Sequence, residues 1–170
     1  MGSRSVPAAI AAASSHGILV SDSADATRAV GARLGAAAPP GALIALVGPL
    51  GAGKTQIAKG VATGLAVASV VNSPTFILMN EHVGRLRLFH IDAYRLENAE
   101  EALAAGLFDE RLADGVAVVE WADRVTPLLP AERLDITIAF GPQDATRREL
   151  HWRANGAEHV RLAGATLVGE

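Results

Sequence analysis

The pattern of apolar and polar residues divides the first part of the chain into a helix, a strand and a second helix. Apolar residues recur at helical spacing across residues 21–38, and the two prolines that follow are expected to end this helix. Residues 42–47 are short and continuously apolar, which is typical of a strand buried on both faces of a largely parallel sheet. Residues 55–67 carry apolar side chains four apart and predict the second helix.

The middle of the chain predicts a hairpin, a helix and another buried strand. Residues 76–92 contain two extended segments about a Val-Gly turn, which indicates an antiparallel hairpin. Residues 98–115 are predicted to be helical, with an asparagine cap and Gly115 as the stop. Residues 116–121 form a second continuously apolar strand.

The two ends of the chain are less clearly patterned. Residues 133–140 and 147–154 alternate and are expected to close the sheet as a two-stranded meander, whereas the tail after Asn155 has no clear pattern. Residues 1–16 imitate a signal peptide only weakly, because alanine makes a poor apolar segment. We therefore expect residues 1–16 to be an extension without fixed structure and residues 17–170 to be a single domain.

Composition narrows the classes of function. Half of the 170 residues are apolar, as in an ordinary globular protein. The chain has no cysteine, so a disulfide framework or a thiolate zinc site is impossible. No apolar run approaches the roughly 20 residues that cross a bilayer. The net charge of -3 argues against a dedicated nucleic-acid binder, which would need a basic excess.

The segment GPLGAGKT at residues 48–55 matches the phosphate-binding pattern G-x-x-x-x-G-K-[ST] at every fixed position. Its glycines let successive main-chain amides turn toward a β-phosphate, and the following helix adds the positive end of its dipole. Lys54, one of only two lysines in the chain, is expected to neutralise the β- and γ-phosphates, and the Thr55 hydroxyl to bind Mg²⁺. The other residues expected to bind the nucleotide are Leu50, Gly51, Ala52 and Gly53.

A phosphate-binding loop between a buried strand and a helix predicts an α/β fold. We expect a P-loop NTPase-like three-layer sandwich with a mixed, partly parallel sheet and an antiparallel hairpin. ATP is the expected nucleotide, because the guanine-reading pattern N-K-x-D needs Asn or Thr before a lysine. Glycine precedes Lys54 and alanine precedes Lys59, so neither lysine fits that pattern.

Two acidic residues at the ends of apolar segments are candidates for the second magnesium ligand. Glu120 ends a strand expected beside the phosphate-loop strand and is assigned to Mg²⁺, directly or through water. Asp92 points inward from an alternating segment and is expected to meet the γ-phosphate, metal-bound water or attacking water. Alternatively, Asp92 pairs with Arg95 or caps a turn. His90 is either a relay or a packed core histidine.

Thr75 and Trp121 are two further candidates, and each has two possible roles. Thr75 follows a proline that holds its loop extended, so it either senses the γ-phosphate as a switch residue or starts a turn. Trp121 either packs against the nucleotide or a partner, or it is a core tryptophan.

Five motifs in one order, GPLGAGKT, NSPTF, HIDAYRL, GLFDE and VVEWADR, make the chain similar to the TsaE (YjeE) family. That family comprises small bacterial P-loop ATPases of tRNA threonylcarbamoyladenosine synthesis. The resemblance covers residues 21–140, whereas the first 16 residues and the segment after Gln143 match poorly. It implies a cytoplasmic ATPase, weak alone, that uses ATP and Mg²⁺ and acts with the partners TsaB and TsaD.

The same resemblance implies a substrate and roles for individual residues. The complex would modify the adenosine next to the anticodon in tRNAs reading codons that begin with A, contacting tRNA through the partners and involving no membrane. Lys54 and Thr55 match the family's nucleotide and magnesium residues, Glu120 its second magnesium residue and Asp92 its hydrolysis-linked aspartate. The family's switch-like threonine and the tryptophan after its glutamate match Thr75 and Trp121.

Two other functions remain as alternatives. A stand-alone small-molecule kinase would need an arginine-bearing lid and an acceptor pocket, and no lid segment is apparent between residues 60 and 120. A non-enzymatic switch would use the nucleotide only to order residues 72–82 for a partner. Loss of repeated tRNA modification on removal of Asp92 would favour hydrolysis over a pure switch.

Overall fold

A computed structural model of the chain describes residues 14–74 and 78–169. The strands are β1 (Ser14–Ser21), β2 (Leu43–Val47), β3 (Met79–His82), β4 (Arg87–Asp92), β5 (Gly115–Glu120), β6 (Arg133–Phe140) and β7 (Arg148–Asn155). The α-helices are α1 (Ala24–Ala37), α2 (Lys54–Gly64), α3 (Ala99–Ala104) and α4 (Ala157–Thr166). Short 3-10 turns lie at Glu110–Asp114, Ala122–Arg124 and Thr126–Leu128.

All seven strands form one mixed sheet in the order β1-β7-β6-β2-β5-β4-β3. The four central strands β6, β2, β5 and β4 run parallel, because β2 pairs with both β6 and β5, and β5 with β4. β7 is antiparallel to β1 and β6, and β3 is antiparallel to β4. The predicted α/β class, the partly parallel sheet and the hairpin are therefore confirmed, and β5 lies directly beside β2 as expected.

Apolar side chains fill both faces of the central strands. Within β2, Ile44 and Leu46 belong to the core under α1, α2 and α4, whereas Leu43 and Ala45 belong to a second core under α3 and the 3-10 turns. This two-sided burial explains why the sequence of β2 is continuously apolar. In the described part of the chain, no helix is both long and apolar enough to cross a membrane.

Helices α1 and α2 touch backbone to backbone. A Cβ added at Gly35 would lie 2.1 Å from the Val61 carbonyl oxygen, and one at Gly60 would lie 2.0 Å from the Arg28 carbonyl oxygen. Both helices therefore need glycine at the contact, which outweighs the low helix propensity of this residue. The shared positions are Gly31 and Gly35 in α1 and Gly60 and Gly64 in α2.

Both ends of the described chain are more regular than predicted. β1 begins at Ser14, so the expected boundary between residues 16 and 17 falls inside a strand. Among the described residues β1 is paired along one edge only, and exposed positions alternate along it, so its sequence is too polar to be recognised as a strand. The tail after Asn155 forms α4, whose buried positions include the polar His159 and Thr166, which obscure the apolar spacing.

The predicted helix over residues 98–115 is wrong in its extent. Asn98 does cap α3, because its side chain accepts the Glu101 N–H at 3.1 Å. The helix ends at Ala104, and Gly106 then adopts a positive φ of 67°, which turns the chain out of the helix. Gly115 is the first residue of β5 rather than a helix stop.

Candidate functional site

The loop that joins β2 to α2, residues 48–53, has a backbone shape that its glycines permit; we call it the glycine loop. Gly51 and Gly53 have φ angles of 77° and 117°, a region that side chains rarely allow. Gly53 is the N-cap of α2 and offers no side chain to the first helical turn. The N–H groups of that turn therefore remain for an acceptor from outside the helix, such as an anion.

Lys54 opens α2, and its side chain folds back along the glycine loop. Its Nζ donates to the carbonyl oxygens of Gly48 at 2.6 Å and Pro49 at 2.8 Å. The same atom lies 4.0 Å from the centre of the Trp121 ring, within the range of a cation–π attraction. Burial lowers the pKa of Lys54, although nearby carboxylates oppose the shift, with Glu120 the largest of them.

Trp121 adopts an uncommon backbone conformation directly after β5. Its φ of 57° and ψ of 40° lie in the left-handed region, which is costly for a bulky side chain. This turn carries the ring away from the strand and over Lys54, and the Tyr94 ring packs against it with centroids 4.9 Å apart. The predicted strand over residues 116–121 thus ends at Glu120, and Trp121 borders the site instead of lying wholly in the core.

Glu120, at the end of β5, is the centre of a hydrogen-bonded group. Thr55 Oγ1 donates to Glu120 Oε1 at 2.8 Å, and Ser73 Oγ donates to Oε2 at 3.2 Å. His90 Nε2 lies 2.5 Å from Oε2. Burial by itself raises the pKa of Glu120, but the hydrogen bonds from His90, Thr55 and Ser73 outweigh it and hold the pKa below its usual range. Glu120 is therefore a buried carboxylate beside the hydroxyl predicted to bind metal.

Asp92 ends β4 opposite Glu120 in the β4–β5 register. Its Oδ1 accepts the Tyr94 N–H at 2.9 Å. One carboxylate oxygen of Asp92 therefore caps a turn, which was one of the predicted alternatives. The residue also lines the same cleft as Lys54 and Thr55. Burial raises the pKa of Asp92, and the charge of Glu120 adds to this, whereas the Tyr94 hydrogen bond acts in the opposite direction.

These side chains surround a cleft of about 340 Å³ above the glycine loop. Its walls combine the Lys54 amine, the Thr55 hydroxyl and two carboxylates with the rings of Tyr94 and Trp121. Across residues 14–74 and 78–169, no three His, Asp or Glu side chains form a ready-made metal cluster. A divalent cation here would rely on the few protein oxygens of the cleft together with phosphate and water, as is usual for Mg²⁺.

A second cavity of about 290 Å³ lies against the glycine loop and shares Gly51, Gly53 and Gln56 with the first. Arg148 of β7 forms part of its wall and donates through Nε to the Ala52 carbonyl oxygen at 2.9 Å. Its guanidinium also lies 4.5 Å from the centre of the Phe140 ring. Arg148 therefore contacts the glycine loop from β7, which β6 separates from β2 in the sheet, and the sequence did not indicate this contact.

Most of the predicted site residues come together. Lys54, Thr55, Asp92, Glu120 and Trp121 line one cleft with Leu50, Gly51 and Gly53. The Ala52 N–H donates to the Pro49 carbonyl oxygen at 3.1 Å, so this amide is already used within the loop. Thr75 lies outside the described residues.

Sequence reasoning did not assign Ser73 or Tyr94 to the site and left His90 undecided. Ser73 had a signal, since it precedes the proline of the NSPTF motif, and His90 lies on the same row of β4 as Asp92. No sequence signal indicated Tyr94, because the position of its side chain depends on the turn that Asp92 caps.

Comparisons with known proteins agree with one another. The family model described as "Threonylcarbamoyl adenosine biosynthesis protein TsaE" matches residues 21–150. The chain belongs to the TsaE family. A Bacillus subtilis protein named tRNA threonylcarbamoyladenosine biosynthesis protein TsaE is 42% identical over 137 residues, covering 80% of this chain and 84% of the relative. A Treponema pallidum protein of the same name is 39% identical over 119 residues, covering 70% and 88%.

A solved crystal structure extends the likeness beyond the segment matched by the family model. The crystal structure of Bacillus subtilis YdiB aligns with a TM-score of 0.75 and 31% sequence identity, over 91% of this chain and 96% of that chain. The TsaE match includes the glycine loop, both carboxylates of the cleft and Arg148. The predicted resemblance to the TsaE family is confirmed, and it reaches past residue 140 into β7.

Proposed function

We propose that this TsaE-family chain binds and hydrolyses ATP to support threonylcarbamoylation of the adenosine next to the anticodon in tRNAs that read codons beginning with A. Family membership supports the pathway, since the relatives carry its name. One observation carries the biochemical part: Thr55 donates to Glu120 at 2.8 Å at the end of the glycine loop. This hydrogen bond brings together the two side chains that would bind the Mg²⁺ of a magnesium nucleotide. Both lie beside a loop suited to the phosphates of that nucleotide.

The arrangement of strands supports a P-loop NTPase-like site. The glycine loop leaves the carboxyl end of β2, and Glu120 stands at the same end of the neighbouring strand β5. Ligands of open α/β sheets bind at this edge. We place the phosphates along residues 48–55 and the nucleoside in the second cavity, whose wall includes the polar side chains of Thr27, Gln56 and Thr146.

Thr55 and Glu120 fit Mg²⁺ because both offer hard oxygen atoms and Glu120 is held in its ionised form. When bound, Mg²⁺ would supply positive charge that neutralises the phosphate oxygens. The Lys54 amine would exchange the carbonyl oxygens of Gly48 and Pro49 for phosphate oxygens, while Trp121 keeps water away from it.

Asp92 is proposed to orient the attacking water, since it is the carboxylate across the cleft from the glycine loop. Thr75 is proposed to sense the γ-phosphate. Because no arginine is among the described residues that line the cleft, hydrolysis should be weak until a partner completes the site. The proposed partners are TsaB and TsaD, the proposed compartment is the cytoplasm, and tRNA is met through the complex.

The variant Asp92→Ala tests hydrolysis separately from binding. It should keep ATP affinity within about threefold, because the described hydrogen bond of Asp92 is to Tyr94 and not to the glycine loop, but lower turnover by roughly 100-fold or more. The measurements are ATP affinity, phosphate release and repeated tRNA modification with TsaB and TsaD. Glu97→Ala, which removes an exposed carboxylate from the same turn region, is the matched control and should behave as wild type.

Three results would each refute a part of this proposal. Full tRNA modification by Asp92→Ala would favour a non-enzymatic switch. Phosphate transfer to a small molecule by the purified protein alone would favour a kinase. A wild-type chain that binds no ATP in the presence of Mg²⁺ would refute the nucleotide site itself.

A further inference from the structure

His90 is a fully buried imidazole within the sheet, one strand in from its β3 edge. It lies on β4, and its Nε2 is 2.5 Å from Oε2 of Glu120 on the neighbouring strand β5. A carboxylate oxygen only accepts, so the hydrogen of this contact lies on Nε2 and the ring is oriented by the bond. The contact approaches Glu120 from within the sheet, whereas the Thr55 hydroxyl meets the other carboxylate oxygen at the cleft.

The other ring nitrogen of His90, Nδ1, is buried and has no hydrogen-bond partner among the described residues. A buried polar atom without a partner costs roughly 1–3 kcal/mol, so an apolar side chain of similar size would suit this row of β4 better. Leu88, two residues earlier on the same row, is such a side chain. The use of histidine at position 90 is therefore explained by what Nε2 does to Glu120.

Without this bond, the carboxylate of Glu120 would be held, among the described residues, only by donors that lie at the cleft. Its two remaining donors, the hydroxyls of Thr55 and Ser73, lie 2.8 Å from each other at the cleft, where metal or water competes for them. His90 is the one donor of the three that does not line the cleft. We propose that His90 is a positioning residue that fixes the carboxylate of Glu120 for Mg²⁺, an inference that rests on the proposed function.

The test compares two replacements of His90. His90→Leu fills the space without a donor, whereas His90→Gln can place an amide N–H near the position of Nε2. Removing a partner that orients a metal ligand usually costs 10- to 100-fold in metal affinity. We expect His90→Leu to raise the Mg²⁺ concentration for half-saturation at least 10-fold, with His90→Gln closer to wild type.

Binding rather than turnover supplies the main readout. Calorimetry with a non-hydrolysable ATP analogue gives its affinity in EDTA and in a Mg²⁺ titration. All variants should bind the analogue in EDTA within about twofold of wild type, because the glycine loop is untouched. Leu88→Val, which trims the same row of β4 without touching Glu120, is the matched control and should lose stability but not Mg²⁺ affinity.

The outcomes separate the inference from the proposed function. Unchanged Mg²⁺ half-saturation in His90→Leu, or equal losses in the leucine and glutamine variants, would overturn the role of His90 alone. A wild-type chain whose binding does not respond to Mg²⁺ would overturn the proposed function as well. If His90→Leu does not fold, His90→Asn takes its place, since its amide is one methylene too short to reach Oε2, and the same order of affinities is required.

Discussion

Replacing Gly35 by alanine should force α1 away from α2, the helix that begins with Lys54. The added Cβ would lie 2.1 Å from the carbonyl oxygen of Val61, which belongs to the backbone of α2 and cannot rotate aside. Gly164 in α4 offers the matched control, because a Cβ there would meet no described atom within 4 Å. The two substitutions share their chemistry and differ only in their surroundings.

The magnitudes follow from two opposing effects. Alanine is favoured over glycine in a helix interior by about 1 kcal/mol, so Gly164→Ala should raise the free energy of unfolding by about 0.5–1 kcal/mol. At Gly35 the same gain is set against overpacking, which costs about 3 kcal/mol when backbone must move. The net loss is about 2 kcal/mol, or roughly 4–8 °C in Tm for a chain of this size.

Urea denaturation followed by circular dichroism measures both free energies. The Gly35→Ala variant should also bind ATP and Mg²⁺ more weakly, because the first turn of α2 carries Lys54 and Thr55. A Gly35→Ala protein as stable as Gly164→Ala would refute the close packing of α1 on α2.

Two further predictions concern interactions away from the cleft. Arg85→Ala should lower the free energy of unfolding by roughly 1–2 kcal/mol in the same assay, because its guanidinium donates to three carbonyl oxygens at the end of α1, and Arg85→Lys should recover part of this. Equal stability of Arg85→Ala and wild type would contradict that role. His159 Nε2 accepts the Leu43 N–H at 3.1 Å, and burial lowers the pKa of His159. As the pH falls, the imidazole of His159 is therefore protonated in the unfolded chain before it is protonated in the folded protein. The free energy of unfolding should fall as the pH drops below about 6.5, by up to 1.4 kcal/mol per pH unit. His159→Gln keeps an acceptor and should lose this part of the pH dependence; identical profiles would contradict the assignment.

Some site residues could be predicted because their partners lie close in the sequence. Others could be predicted because a general rule about parallel sheets gives their position. The glycine loop, Lys54 and Thr55 form one continuous motif, and the shape of the loop depends on its own glycines. The place of Glu120 at the cleft was predictable because a strand apolar on both faces is central, and ligands of such sheets bind at the carboxyl ends of the strands.

The remaining contacts depend on tertiary register and could not be read from the sequence. His90 meets Glu120 only because β4 and β5 pair in parallel, with Asp92 opposite Glu120. Arg148 reaches the glycine loop from a strand that is distant in sequence. The end of α3 was missed because Gly106 lies inside the helical pattern of residues 98–115, whereas in the structure it adopts a left-handed conformation that ends the helix.

The most direct test of the account is the affinity for ATP with Mg²⁺ of wild type, Lys54→Ala and Lys59→Ala. The glycine loop and the Lys54 amine are proposed to bind the phosphates of a magnesium nucleotide. Loss of a hydrogen bond from a charged donor costs roughly 1.5–3 kcal/mol, so Lys54→Ala should bind about 10- to 100-fold more weakly. Lys59→Ala, which removes the other lysine of α2, should bind within about twofold of wild type. Equal affinities of the Lys54→Ala and Lys59→Ala variants would contradict the phosphate-binding role of Lys54.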